Sequence, residues 1–194
     1  MTNALVANLT ARVTNIIKTP KTEWDKIEGE AATIPDLYKY YACILAVIPA
    51  VATFLKSAVI GITIPITGAT FRVPVGHALG AAAAGYVLTM LGIAALAFIV
   101  DFLAPKFGGQ SKQINAFKLS AYSMTAAWLA GAFVLIPYLG SLLALTALYS
   151  LYLFYLGVPK LMKTPASQAG IFTVVALVIN VAVMVIASFI MPRG

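Results

Sequence analysis

Apolar positions along this chain gather into five stretches, each long enough to cross a bilayer, with polar and basic residues collected between them. They run Tyr40–Ile60, Val75–Leu103, Phe117–Ile136, Leu139–Val158 and Gly170–Met191. A span needs about 20 largely apolar residues, and every backbone polar group inside the bilayer must be satisfied within the segment, which selects helices. The pattern therefore predicts an all-α polytopic membrane protein with five transmembrane helices in one domain, residues 40–194. Residues 1–39 precede it as an N-terminal segment of different character. There, Leu5, Leu9, Val13, Ile16 and Ile17 recur at helical spacing among Asn, Thr, Arg and Lys. That is an amphipathic helix of about four turns, ended by Pro20, which we expect to lie flat in the cytoplasmic interface or to pack under the bundle. A second short helix carries Trp24 and Ile27 on one face, and Ile34-Pro35-Asp36 starts the first span.

Within the spans, Pro49 should kink the first helix. The loop at 61–74 is rich in β-branched residues around a Thr67-Gly68-Ala69 turn and predicts a small hairpin. The second span, at 29 residues, exceeds the bilayer core and must tilt or protrude. Ile136-Pro137-Tyr138-Leu139-Gly140 forms a tight turn between the third and fourth spans, and Pro159 closes the fourth.

Composition supports the class: 61% of residues are hydrophobic and 10% charged, against about 25% charged in soluble domains. The net charge of +7 points to anionic lipid headgroups as partners, not to nucleic acid. The single cysteine, Cys43, excludes an intrachain disulfide. Residues 1–39 carry ten charges and no uncharged signal-type core, so the first span is expected to be a retained anchor. Basic residues also orient the chain. Arg12, Lys18, Lys21, Lys26, Lys39, Lys106, Lys112, Lys118, Lys160 and Lys163 fall on one side, and Arg72 and Arg193 on the other. The positive-inside rule then puts the N-terminus in the cytoplasm and the C-terminus outside a multi-pass cell membrane protein.

Few residues offer chemistry. Gly76, Gly80 and Ala84, and likewise Ser123, Ala127 and Gly131, recur every four residues and permit close helix approach. Packing within the bundle is the favoured reading and a homo-oligomer face the alternative. Lys56 sits in the first span near the outer surface, where snorkelling is favoured over a substrate pathway. Asp101 lies at the far end of the second span and is expected to meet Lys39, Lys106 or Lys118. Asn180, midway along the fifth span, should hydrogen-bond inside the bundle. Tyr149, Tyr152 and Tyr155 form an aromatic stripe toward the cytoplasmic interface. His77 is the sole histidine and lacks companion ligands, so no metal site is expected. No hydrolase elbow, metalloprotease motif or phosphate-cradling loop occurs. We expect no catalytic residues and no cofactor.

Several segments carry a resemblance. They are Thr19-Pro20-x-x-x-Trp24-x-x-Ile27-x-x-Glu30, Asp36-Leu37-Tyr38, Asp101-x-Leu103-Ala104-Pro105-x-Phe107-Gly108-Gly109, Ala121-Tyr122-Ser123, Ile136-Pro137 and Tyr149-Ser150-Leu151-Tyr152-Leu153-x-Tyr155-Leu156-Gly157-Val158-Pro159. In these the chain resembles the bacterial branch of the Yip family, five-pass membrane proteins named for interacting with Ypt/Rab GTPases. The resemblance implies five spans, a cytosolic N-terminus and an outward C-terminus. Rab binding is not carried over, because the N-terminal segment is short and Asp36-Leu37-Tyr38 is followed by Lys39-Tyr40 where the family has Gly-Pro. The expected role is non-enzymatic: a membrane-organising or scaffolding protein engaging lipids and partner proteins. Its cytoplasmic face would be formed by Trp24, Asp36, Tyr38, Asp101, Pro105, Phe107, Gly108 and Gly109. A small transporter or channel for a lipid or solute, using Lys56 and Asn180 with Asp101 as a further candidate, is the alternative.

Orientation is directly testable. Cysteine labelling should place residues 110 and 162 inside and residue 68 and the C-terminus outside, and external labelling at residue 110 would reverse the assignment.

Overall fold

The structure, a computed structural model, describes residues 2–64, 68–136, 139 and 142–190. Two N-terminal helices, α1 (Thr2–Lys18) and α2 (Pro20–Gly29), lead into α3 (Ile34–Ile60), a two-stranded hairpin and α4 (Val75–Phe107). A broken helical segment, α5, occupies residues 113–135, followed by α6 (Leu142–Leu161) and α7 (Ala166–Ile190). Four helices are long and apolar enough to cross a membrane: α3, α4, α6 and residues Ala166–Ile186 of α7. Their outward faces are apolar, as lipid requires: Val51, Leu79, Phe98, Leu148 and Val178 are all exposed.

α3 bends where the sequence demands it. Proline lacks an N–H and its ring clashes with the carbonyl four residues back. Pro49 accordingly sits just after a break at Ala46, between helical pieces Cys43–Leu45 and Val47–Phe54. α3 widens into π-helical turns at Tyr38–Ala42, one turn into the helix, and at Leu55–Ile60, its end. Beyond it, Ile62 pairs with Phe71 and Thr63 with Thr70 in an antiparallel hairpin.

The third expected span is not one continuous helix. α5 divides into Gln113–Ser123, Thr125–Ala130 and a tighter 3-10 turn at Gly131–Leu135. At Met124 the N–H reaches back three residues to Ala121 O, and the Thr125 hydroxyl donates to Tyr122 O. The interruption is repaired from outside: Ala127 N–H donates to Ser150 Oγ of α6 at 3.1 Å. α5 is also the most enclosed element, with every residue from Asn115 to Ser123 buried. Its far end touches α3 directly, since a Cβ on Gly131 would lie 2.5 Å from Pro49 Cβ. The turn expected at 136–140 lies largely outside the described residues. α6 runs through Pro159 to Leu161 instead of closing there; the proline withholds one N–H from the carbonyl four residues back, and the helix ends within a turn of it.

α1 and α2 are docked against the bundle. Ile16, Trp24 and Ile27 are fully buried, while Leu9, Val13 and Ile17 pack partly buried against the same core. α2 lies along α6 at Gly157, where a Cβ would meet Leu119 Cδ1 at 2.5 Å and the Trp24 ring at 2.9 Å. Gly157→Val should therefore displace Trp24. We expect a loss of about 1–3 kcal/mol, typical of overpacking, read as a lower melting temperature in detergent with faster proteolysis at residues 20–33. Trp24→Leu in the same chain should recover part of it.

Candidate functional site

The end of the bundle that carries α1 and α2 concentrates the polar chemistry of the molecule. It is assembled by charges reaching across long stretches of sequence. Arg12 of α1 pairs with Glu23 and Glu30, flanking α2. Burial opposes the charge on Arg12, but the Glu30 hydrogen bond and the surrounding charges outweigh it, holding the guanidinium above its ordinary range. Lys160 Nζ lies 2.5 Å from Asp25, and Lys163 pairs with Glu28. Tyr149 Oη donates to Ile17 O at 2.6 Å.

The centre of this assembly is Lys118. It is 3% exposed, and its ammonium donates to Ile27 O at 2.8 Å and Glu30 O at 2.5 Å. These carbonyls lie at and just beyond the C-terminal turn of α2. A helix C-terminus presents unpaired carbonyls and the negative end of the dipole, so a cation is favoured there.

A second joint lies beside it. Gly109 N–H donates to Ala104 O at 2.9 Å and Gln110 N–H to Met162 O at 2.7 Å. Asn115 Nδ2 donates to Leu161 O at 2.9 Å, and the Phe107 and Phe172 rings meet edge to face at 5.4 Å. The connection from α4 to α5 is thus fastened to the connection from α6 to α7.

Against this geometry the residues expected to form one presenting face separate. Trp24 is buried in the core and edge-on to Tyr122. Asp36 serves the cap of α3: Thr33 Oγ1 accepts from its N–H at 3.3 Å and donates to its Oδ2 at 2.6 Å. Tyr38 turns inward and donates to Met90 O at 3.0 Å. Phe107, Gly108 and Gly109 belong to the joint just described, while Pro105 is exposed. Asp101 accepts from Ser111 Oγ at 2.9 Å and has no lysine partner among the described residues. This corrects the expected ion pair: Lys118 is held by carbonyls, and Lys39 and Lys106 lie over the Tyr40 and Phe102 rings at 5.0 and 4.6 Å.

The small-residue stripes also diverge. Ser123, Ala127 and Gly131 face neighbouring helices. Gly76 and Gly80 face open space and Ala84 is exposed. That corrects the expectation of packing within the bundle: α4 buries Ala78 and Ala82 instead, two positions out of phase. Lys56 is half-buried and His77 exposed, each far in the chain from the basic end. Among the described residues no cluster of His, Cys, Asp or Glu could hold a metal.

Asn180 lies between two clefts flanking α7, one of about 280 Å³ toward α6 and one of about 250 Å³ toward α4. Both are lined mainly by aliphatic side chains, and Asn180 Oδ1 is buried without a hydrogen-bond partner among the described residues. Of the aromatic stripe, Tyr149 is tied to α1 while Tyr152 and Tyr155 remain about 40% exposed. The roles missed from sequence are those of Arg12, Glu23, Lys118, Ser150 and Gly157. For Lys118 a signal was present, since Ala116, Phe117 and Leu119 surround it and a lysine in an apolar setting needs a dedicated partner.

Lys118→Met should leave two carbonyls unpaired and cost about 2 kcal/mol, whereas Asp101→Asn, still able to accept from Ser111, should cost less than about 0.5 kcal/mol. Thermal unfolding of both variants in detergent checks the contrast, and equal losses would overturn it.

The Yip1 domain profile matches residues 14–188 of the chain. The chain is 24% identical over 177 residues to the inner membrane protein YohC of Escherichia coli (strain K12), covering 90% of each. It matches YohC of Escherichia coli O6:H1 (strain CFT073) to the same extent. No solved structure matches it significantly. With four membrane-length helices and a family match over nearly its whole length, this chain is an integral membrane protein that belongs to the Yip1 domain family.

Proposed function

We propose that this protein is a non-enzymatic membrane-organising scaffold of the cell inner membrane, whose cytoplasmic end engages acidic lipid headgroups and other membrane proteins. The observation that carries this reading is the fate of the charges. All six carboxylates have internal partners: Glu23 and Glu30 with Arg12, Asp25 with Lys160, Glu28 with Lys163, Asp36 with Thr33 and Asp101 with Ser111. Lys18, Lys39, Lys106 and Lys112 stay exposed at the same end, with no carboxylate partner among the described residues. An end whose carboxylates are all engaged internally, and whose remaining lysines lack carboxylate partners, suits an acidic membrane surface.

In this reading α5 is the fifth crossing. Its 23 residues, 113–135, measure about 34 Å at helical rise, enough to traverse the roughly 30 Å core. Its breaks are tolerated because neighbouring helices repair them. The N-terminus is then cytoplasmic and the C-terminus outside.

Transport is the second reading, favoured by the clefts that meet at Asn180. Their aliphatic lining and their distance in sequence from Lys56 argue against a polar solute path.

Reconstitution separates the two. In vesicles of phosphatidylcholine with a minority of phosphatidylglycerol, energy transfer should show acidic lipid enriched around the protein. Changing Lys18, Lys39, Lys106 and Lys112 to Gln should cut that enrichment at least about fivefold, since each such cation contributes about 1 kcal/mol at an acidic surface. Solute or ion flux abolished by Lys56→Met or Asn180→Leu would replace the scaffold with a transporter.

A further inference from the structure

We propose that the groove between α6 and α7 is a binding site for one acidic phospholipid, its phosphate held by Lys21 and Lys160 and one acyl chain laid along the helices toward Asn180. The site rests on the reading that this protein engages acidic lipids, but it uses different lysines from those of the exposed surface.

Two cavities support it. One, of about 410 Å³ at the basic end, is bounded by Lys21, Asp25, Tyr155, Pro159, Lys160 and Ala169 among others. The other, of about 280 Å³ farther along, is bounded by Leu148, Leu151, Phe154, Thr173, Leu177 and Asn180 among others. On α6 the lining positions 148, 151, 155 and 159 follow one another at steps of three or four. On α7 positions 166, 169, 173, 177 and 180 do the same. Residues at that spacing share one helix face, so the two cavities follow the same seam between α6 and α7, the farther one opening also onto Leu96 of α4 and Met124 of α5.

The character of the groove changes along its length as a phospholipid does. Its basic end has two ammonium groups against one carboxylate. Asp25 takes one of the three donors of Lys160, which leaves the others available, and Lys21 is exposed with no carboxylate partner among the described residues. A phosphate would complete this set through charge-assisted hydrogen bonds. Tyr155, 41% exposed, stands at the same level, where a tyrosine suits the headgroup boundary. A zwitterionic lipid would bring its own ammonium against Lys21 and Lys160, so the site prefers a net acidic headgroup.

Depth agrees with a chain from one leaflet. Lys160 and Leu148 are twelve residues apart on α6, about 18 Å along the axis. Half of the roughly 30 Å hydrocarbon core is about 15 Å. A chain entering at the lysines therefore reaches the midplane at the far end of the groove, where the amide of Asn180 ends the apolar lining.

The test uses the full chain purified in neutral detergent, with dioleoyl phosphatidylglycerol or dioleoyl phosphatidylcholine added, read by native mass spectrometry and thermal unfolding. The expected result is one phosphatidylglycerol retained per chain, with phosphatidylcholine retained far less. Lys21→Gln with Lys160→Gln should weaken retention about tenfold, the equivalent of one charge-assisted contact. Leu151→Trp should weaken it comparably by filling the chain cavity. Where that variant does not purify folded, the lysine pair alone decides. Arg72→Gln, beside the hairpin and outside both cavities, should leave retention unchanged. Equal retention of both lipids, or phosphatidylglycerol held undiminished by the Lys21 and Lys160 variant, overturns the groove site while the surface reading stands on its own vesicle test. Protection by glycerol 3-phosphate equal to that by the lipid also overturns it, because the ligand would then be a free phosphate.

Discussion

A buried ammonium governs how this molecule is put together. Lys118 sits in an apolar setting where an unpaired charge is very costly, and its partners are backbone carbonyls of another element, Ile27 and Glu30. Satisfying it requires α2 to end where it does, with its last turn aimed at α5. That places Trp24 against Gly157 and brings Glu23 and Glu30 within reach of Arg12. Removing the lysine would leave carbonyls without partners, and removing α2 would leave the lysine without any. The N-terminal helices are in this sense part of the bundle's interior.

The same exchange of backbone groups for side chains explains α5. A helix surrounded by others can break if the freed groups find partners nearby. Ser150 supplies the acceptor that Ala127 N–H lacks, and the Thr125 hydroxyl bonds back to Tyr122 O while receiving Tyr41 Oη at 2.6 Å. Beyond the break, Gly131 lets the chain come against Pro49. The two irregular helices of the bundle, α3 and α5, thus meet at their irregularities, and each occupies the space the other vacates.

The architecture was legible to the extent that it is written in local pattern. Apolar runs located the four membrane-length helices to within a few residues at most ends, and α3 begins at Ile34, where the Ile34-Pro35-Asp36 start signal lies ahead of the apolar run from Tyr40. Alternating β-branched residues located the hairpin, and Pro49 located the bend. What pattern could not show was partnership. Asp101 and Lys118 were matched because they were neighbours in connection and opposite in charge, yet carbonyl oxygens outcompeted the carboxylate for the buried ammonium. Trp24 was expected on the cytoplasmic face, and the glycine that admits it to the core lies 133 residues away. The phase of Gly76, Gly80 and Ala84 was visible, but which phase of a uniformly apolar helix meets a neighbour is decided by the neighbour, and here Ala78 and Ala82 make that contact.

One feature of these contacts bears on biogenesis. The groups that seat α1 and α2 lie far downstream: Lys118 is 88 and 91 residues from its carbonyls, Tyr149 is 132 from Ile17, and Lys163 is 135 from Glu28. During synthesis, residues 2–30 emerge well before any of these partners exists. Glu23 and Glu30 can pair with Arg12 within the segment, but Asp25 and Glu28 have no partner among the described residues until Lys160 and Lys163 have been made. The seating of α1 and α2 is therefore completed only after residues through Lys163 have been made.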